Sequence, residues 1–153
     1  MKKNMFYSII LISTIGLLVS CGKSIGCMNL SCNTDGQITV DLREGDQIQV
    51  WNSIDIEYLE GFTLSYLIEI TDGANTIVNK KIDGFTPDIK MLSSETVFGN
   101  KHHITWKNGR IDSGIVISED GKYTIKIETL YKGNMAYTKK NLIELKLVSK
   151  KNK

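Results

Sequence analysis

The sequence predicts an all-β fold, with two antiparallel sheets packed face to face and about seven to eight short strands. Three observations carry this expectation. From Gly36 onward, apolar and polar residues alternate in run after run, the two-residue period of strands. Glycines at 36, 45, 61, 73, 84, 99, 109, 114, 121 and 133 cut the chain into short pieces. No segment carries a convincing helical stripe.

The strands follow in order. "QITVDL" puts Ile38, Val40 and Leu42 on one face, "REGD" turns, and "QIQVW" returns with Ile48 and Val50 inward. "SIDIEYLEG" is ambiguous. "FTLSYLIEI" is the strongest run, with Phe62, Leu64, Tyr66, Ile68 and Ile70 on one side. "TDGAN" has the composition of a hairpin turn, and "TIVNKKI" follows it. "TPDIKMLSS" suggests a helical turn capped by Thr86, with Pro87 at its first position. "HHITW" and "GIVI" read as short strands separated by a turn over 107–114. "GKYTIKIETLY" places Tyr123, Ile125, Ile127, Thr129 and Tyr131 inward, and "NLIELKL" closes the domain with Ile143, Leu145 and Leu147.

The chain has 153 residues, which suits one domain, and its 41% hydrophobic and 24% charged residues fit a packed core. The net charge of +2 comes from Lys2 and Lys3; residues 21–153 carry 17 basic and 17 acidic side chains. Nucleic-acid binders show a basic stripe with interleaved aromatics, and none is present, so no nucleic-acid partner is expected. Residues 150–153 form a short basic tail, read as solvated or in weak contact with an anionic surface.

The first 20 residues read as an export signal: two lysines, an apolar stretch from Met5 to Val19, and a small residue before Cys21. The stretch is shorter than the roughly 20 residues that span a bilayer comfortably. Leu18-Val19-Ser20-Cys21 resembles the lipobox of bacterial lipoproteins. That resemblance implies cleavage before Cys21, a diacylglycerol on its thiol and an N-acyl chain on its new amino terminus. No other cofactor is expected. Two or three acyl chains, at about 0.8 kcal/mol per buried methylene, hold a protein stably on a bilayer. Gly22 follows the cysteine rather than the aspartate that often retains such proteins in the inner membrane, so the outer membrane is expected where the organism has one.

With Cys21 acylated, Cys27 and Cys32 remain, and an oxidising compartment favours their pairing. The C-x4-C loop is short, so a bridge would contribute about 2 kcal/mol; two free thiols are the alternative. Residues 21–36, small and polar, read as a tether, with the sandwich proper over 37–149.

In the second half, "FTLSYLIEI", "ITWKNGRIDSG" and "SEDGKYTIKI" resemble the immunoglobulin-like domain of the flagellar hook-capping (FlgD-type) family. Trp106, Gly109, Gly114, Gly121 and Tyr123 carry the resemblance. It implies an immunoglobulin-like sandwich of seven to eight strands, without a hook-capping role. Within it, Trp106 is expected between the sheets, the three glycines at positive-φ turns, and Tyr123 bonded back to backbone.

Residue patterns that carry chemistry are few. His102 and His103 are strand neighbours and point to opposite faces, so they rarely share a metal. A zinc set with Cys27 and Cys32 would need reduced thiols, so no metal site is expected. "IDSG", with Asp112, echoes aspartic proteases, whose chemistry needs two aspartates. No G-x-S-x-G and no phosphate-cradling loop occurs. The expectation is a non-enzymatic envelope lipoprotein that binds or scaffolds a protein or glycan, through loops near 72–75 or 107–114. The alternative is an inhibitor or immunity-type lipoprotein that blocks a hydrolase. The lipobox itself predicts that Cys21→Ser moves the protein from the detergent phase to the aqueous phase, or leaves it uncut; unchanged partitioning contradicts the lipid anchor.

Overall fold

The computed structural model describes residues 22–148. It is an antiparallel β-sandwich of nine strands, and none of the described residues is helical. The strands are β1 (Lys23–Asn29), β2 (Asp35–Leu42), β3 (Gln47–Leu59), β4 (Thr63–Asp72), β5 (Asn75–Asp83), β6 (Ile89–Phe98), β7 (Lys101–Val116), β8 (Gly121–Lys132) and β9 (Met135–Val148). One sheet, A, has the order β1-β9-β3-β7-β6; the other, B, has the order β2-β8-β4-β5. Cys21 and the tail 150–153 lie outside the described residues.

Alternation builds the core. β3 buries Ile48, Val50, Asn52, Ile54 and Ile56, and β4 buries Leu64, Tyr66, Ile68 and Ile70. Tyr123, Ile125 and Ile127 of β8 and Ile143 and Leu145 of β9 complete the interface. The ambiguous "SIDIEYLEG" continues β3 to Leu59. Apolar burial of this kind contributes about 25 cal/mol per Å².

The centre of the order matches an immunoglobulin sandwich. β3 pairs with β7 in one sheet and β4 with β8 in the other, flanked by β6 and β5. The terminal strands differ. An immunoglobulin last strand lies in the sheet of its sixth, whereas β9 pairs with β3 in sheet A and β2 takes the place beside β8. The β8–β9 connection makes the difference, since it crosses between sheets where an immunoglobulin hairpin stays within one. Gly61 (φ +84) and Gly133 (φ +94) turn the chain between sheets, and a Cβ on Gly133 would meet the Gly61 carbonyl and the Phe62 Cα at 3.0 Å.

Two segments differ from their sequence expectation. Residues 23–29, expected within a tether, form β1 and pair with β9 from Lys23↔Leu147 to Asn29↔Leu142. Glycines permit this seam: a Cβ on Gly26 would lie 2.6 Å from Ile38 Cδ1, and one on Gly36 would lie 3.1 Å from Met28 Sδ. Residues that looked like spacer are small because the sheets close on them. The helical turn expected over 86–94 is instead an irregular approach at 86–88 and then β6 from Ile89, paired with β7. Apolar residues in β6 gave no period because all ten of its residues are exposed.

Two knots match buried polar groups between the sheets. Asn141 Oδ1 accepts from the Tyr66 hydroxyl at 2.6 Å, and its Nδ2 donates to Tyr131 at 3.1 Å and Thr129 at 3.3 Å. Burial pushes the Tyr66 hydroxyl pKa up, so it remains a donor. Asn52 accepts from Trp106 Nε1 at 2.8 Å and donates to the Gly84 carbonyl at 2.9 Å. Leaving a buried partner unmatched costs about 1–3 kcal/mol. Asn141→Leu is therefore expected to lower stability by about 2 kcal/mol in urea unfolding. Tyr66→Phe should cost less in that background than alone; strict additivity would show that the two are uncoupled.

Candidate functional site: a bulged groove on sheet A

The outward face of sheet A is not flat. Between Asn52 and Ile54 the β3–β7 register slips, because their partners are Gly109 and Trp106. β7 thus holds one extra residue at Lys107–Asn108. Asn108 takes φ +51, and its backbone N–H donates to Ser53 Oγ at 3.0 Å. A second slip lies next door, where Met91 and Ser94 face Lys107 and Thr105, and Leu92 takes φ +49. A third separates Asp55↔Lys140 from Ile56↔Thr138 on β9. Bulges bend a strand and re-aim its side chains.

These slips border two adjoining shallow concavities. The larger, about 260 Å³, is walled by Trp51, Ser53, Asn108, Leu142 and Glu144, with Cys27 at its edge. The smaller, about 130 Å³, is walled by Asp55, Leu92 and Thr105. Lys107 and Lys140 line both, so they stand where the two meet. Asn108 and Leu92, one in each concavity, are the non-glycine residues with positive φ among those described. Left-handed backbone costs an L-residue roughly 1–2 kcal/mol, and more readily suits Asn than Leu.

The surrounding charges are largely matched. Lys101 pairs with Glu57, whose carboxyl that hydrogen bond holds below its ordinary pKa. Arg110 forks onto Asp88 at 2.7 Å and lowers its carboxyl in the same way. Asp55 receives His103 at 2.7 Å and Lys139 at 3.8 Å, and Glu144 receives Lys146 at 3.5 Å. Lys146 also lies 4.2 Å from the centre of the Trp51 ring. Among the described residues, Lys107 and Lys140 have no acidic partner within salt-bridge reach.

The residues singled out in sequence are distributed differently. Trp106 is buried in the middle of β7, not at a strand end. Gly109 is not at a positive-φ turn; a Cβ there would sit 2.6 Å from Trp106 Nε1 and 2.8 Å from Asn52 Oδ1. Gly114 and Gly121 also lack positive φ. A Cβ on Gly114 would make ordinary contact with Asp112 Oδ1 at 3.8 Å, and one on Gly121 would meet the Tyr123 ring at 3.4 Å. Tyr123 donates its hydroxyl to the Glu119 carbonyl at 2.7 Å. The stretch 107–114, expected as a loop, lies within β7, whereas 72–75 does hold the β4–β5 turn.

Cys27 and Cys32 are free and exposed, so the expected clip is not formed. Met28 and Leu30 turn inward, which leaves Cys27 on the outer face while Cys32 sits in the bend leading toward sheet B. His102 stacks on Tyr58 at 5.1 Å, and His103 faces outward to Asp55. Among the described residues, no group of three or more His, Cys, Asp or Glu side chains is placed to hold a metal ion. Asp112 is buried against Lys80 of β5 and caps the Gly114 N–H at 2.8 Å. It joins the sheets and does not face a second aspartate there.

Comparison with family models, with curated proteins and with solved structures finds no match to this chain. The groove residues escaped the sequence reading for a physical reason. Lys107 and Asn108 read as part of a turn over 107–114, and bulges leave no period.

The strain is open to measurement. Leu92 is 75% exposed, so little burial is lost on replacing it. Leu92→Asn is expected to raise stability by about 0.5–1 kcal/mol in urea unfolding, because Asn tolerates the left-handed region. A loss of stability would mean that Leu92 is held by packing instead.

Proposed function

We propose that the chain is a lipid-anchored, non-catalytic binding module of the cell envelope, and that the bulged groove is its contact surface. One observation carries the second part: both non-glycine residues with positive φ, Asn108 and Leu92, border this groove, and at Leu92 that backbone is costly. Costly backbone persists where the surroundings over-determine it, and it clusters at binding sites. The lipobox at Leu18–Cys21 supports the anchor. β1 begins at Lys23, two residues beyond Cys21, so an acylated Cys21 would hold the sandwich close to the bilayer rather than on a long tether. The partner is an envelope protein or glycan.

A second reading, a hydrolase inhibitor, is favoured by a different feature. The β6–β7 hairpin ends in Phe98, 87% exposed, beside the Gly99–Asn100 turn, at the pole opposite Lys23. An apolar tip on a rigid hairpin suits insertion into a cleft.

Site-specific photo-cross-linking in intact cells separates the two. A cross-linker at position 53 is expected to give a discrete adduct, and one at position 126, on the exposed face of β8, none. Adducts at 98 without any at 53 would replace the groove with the hairpin tip.

A further inference from the structure

We propose that the groove takes an anionic glycan, whose acid groups are held by Lys107 and Lys140; this rests on the groove being the contact surface. The two lysines line both concavities, so a ligand lying along the groove passes both of them. The groove also contains two carboxylates, and both are occupied. Asp55 holds His103 and Lys139, and Glu144 holds Lys146. The unmatched charge facing a ligand is therefore positive. Uncompensated cations with their counter-ions already engaged elsewhere draw an acid group, and the attraction falls with salt.

The floor decides between a sugar and a peptide. It is formed by β9, β3 and β7, all interior strands of sheet A, each paired with a neighbour on both sides, although the ladders are interrupted at the bulges. Extended peptides are commonly recognised by adding a strand to an open sheet edge, and here the edges are β1 and β6. No open sheet edge runs along this floor, so a ligand on it meets mainly side chains. Those available are hydroxyls (Ser53, Thr105), an exposed amide (Asn108) and one aromatic wall, Trp51, whose ring Lys146 partly covers. Amides and hydroxyls that both donate and accept match sugar hydroxyls, and the lysines add the selection for acid groups. The bulge presents consecutive residues, Lys107 and Asn108, to the same concavity, which a regular strand cannot do.

The test is a fluorescence titration of the full detergent-solubilised chain, where Trp51 lines the larger concavity and the buried Trp106 borders the smaller one. The probes are polygalacturonate, dextran of equal length and polyglutamate. Polygalacturonate is expected to bind, more weakly as sodium chloride rises, and dextran not to bind. Lys107→Ala with Lys140→Ala should weaken binding at least tenfold. Lys81→Ala with Lys126→Ala, on exposed positions of sheet B, should leave it unchanged, with circular dichroism showing all variants folded. Equal binding of dextran, or a loss shared by the sheet B variants, overturns the proposal. Polyglutamate binding as tightly as polygalacturonate replaces the glycan with an acidic protein partner. Adducts at position 53 with no polygalacturonate binding overturn the ligand class alone; absence of both removes the groove as well.

Discussion

The indole N–H of Trp106, buried between the sheets, must have a partner, and Asn52 supplies it at 2.8 Å. Much of sheet A follows from this bond. Asn52 is on β3, one strand away, and its amide spans to the Gly84 carbonyl beyond β5. A side chain at 109 would collide with both members of the bond, so that position must be glycine and must face inward. In a regular strand, residues 106 and 109 would face opposite sides. Both are buried here, so one residue between them has to be surplus. The surplus is the bulge at Lys107–Asn108. The groove is thus a consequence on the outer face of a hydrogen bond on the inner one.

The same logic runs along β7. Its buried positions after Trp106 are Gly109, Asp112 and Ile115, three residues apart instead of two. Each step needs a register slip against β3, and slips occur at Val50/Trp51 and Ile48/Val50. Asp112 gains from this, because the slip turns it inward to meet Lys80 of sheet B. Asn141 plays the matching part on β9, beside Ile54, and ties Tyr66 and Tyr131 of sheet B to sheet A. A one-residue slip of β9 would carry Asn141 outward and leave the Tyr66 hydroxyl buried and unmatched. These polar contacts specify register where apolar side chains alone would tolerate shifts.

This explains which parts of the chain were legible in sequence. β3, β4 and β8 bury one face each and keep strict alternation, so "QIQVW", "FTLSYLIEI" and "GKYTIKI" announce themselves. β7 does not, because bulges replace its period of two with a period of three, and it reads as two short strands around a turn. β1 is hidden by composition: Gly26 and Gly36 are there to let Ile38 and Met28 approach, and small residues look like linker when their neighbours are unknown. β6 buries neither face, so it has no pattern to find. Of the groove, neither Trp51, Lys107, Asn108 nor Lys140 carries a motif. They are brought together by pairing across strands more than thirty residues apart in sequence.

The placement of the groove also bears on how an anchored domain would work. Lys23 starts β1 beside Leu147, and a Cβ on Gly22 would touch the Leu147 carbonyl at 2.9 Å. The chain therefore enters the sandwich at a fixed point, and an anchor at Cys21 would have few free bonds between lipid and sheet. A long flexible tether spreads a domain through a volume, whereas a short one confines it near the surface and raises its effective concentration there. The groove crosses strands between β1 and β6, on a face that runs along the β1 axis rather than at its start. An anchor at one pole would leave that face open to polymers lying alongside the bilayer. Weak, salt-sensitive contacts to an extended polyanion would then suffice, since confinement supplies the concentration that a diffusing domain would need from affinity.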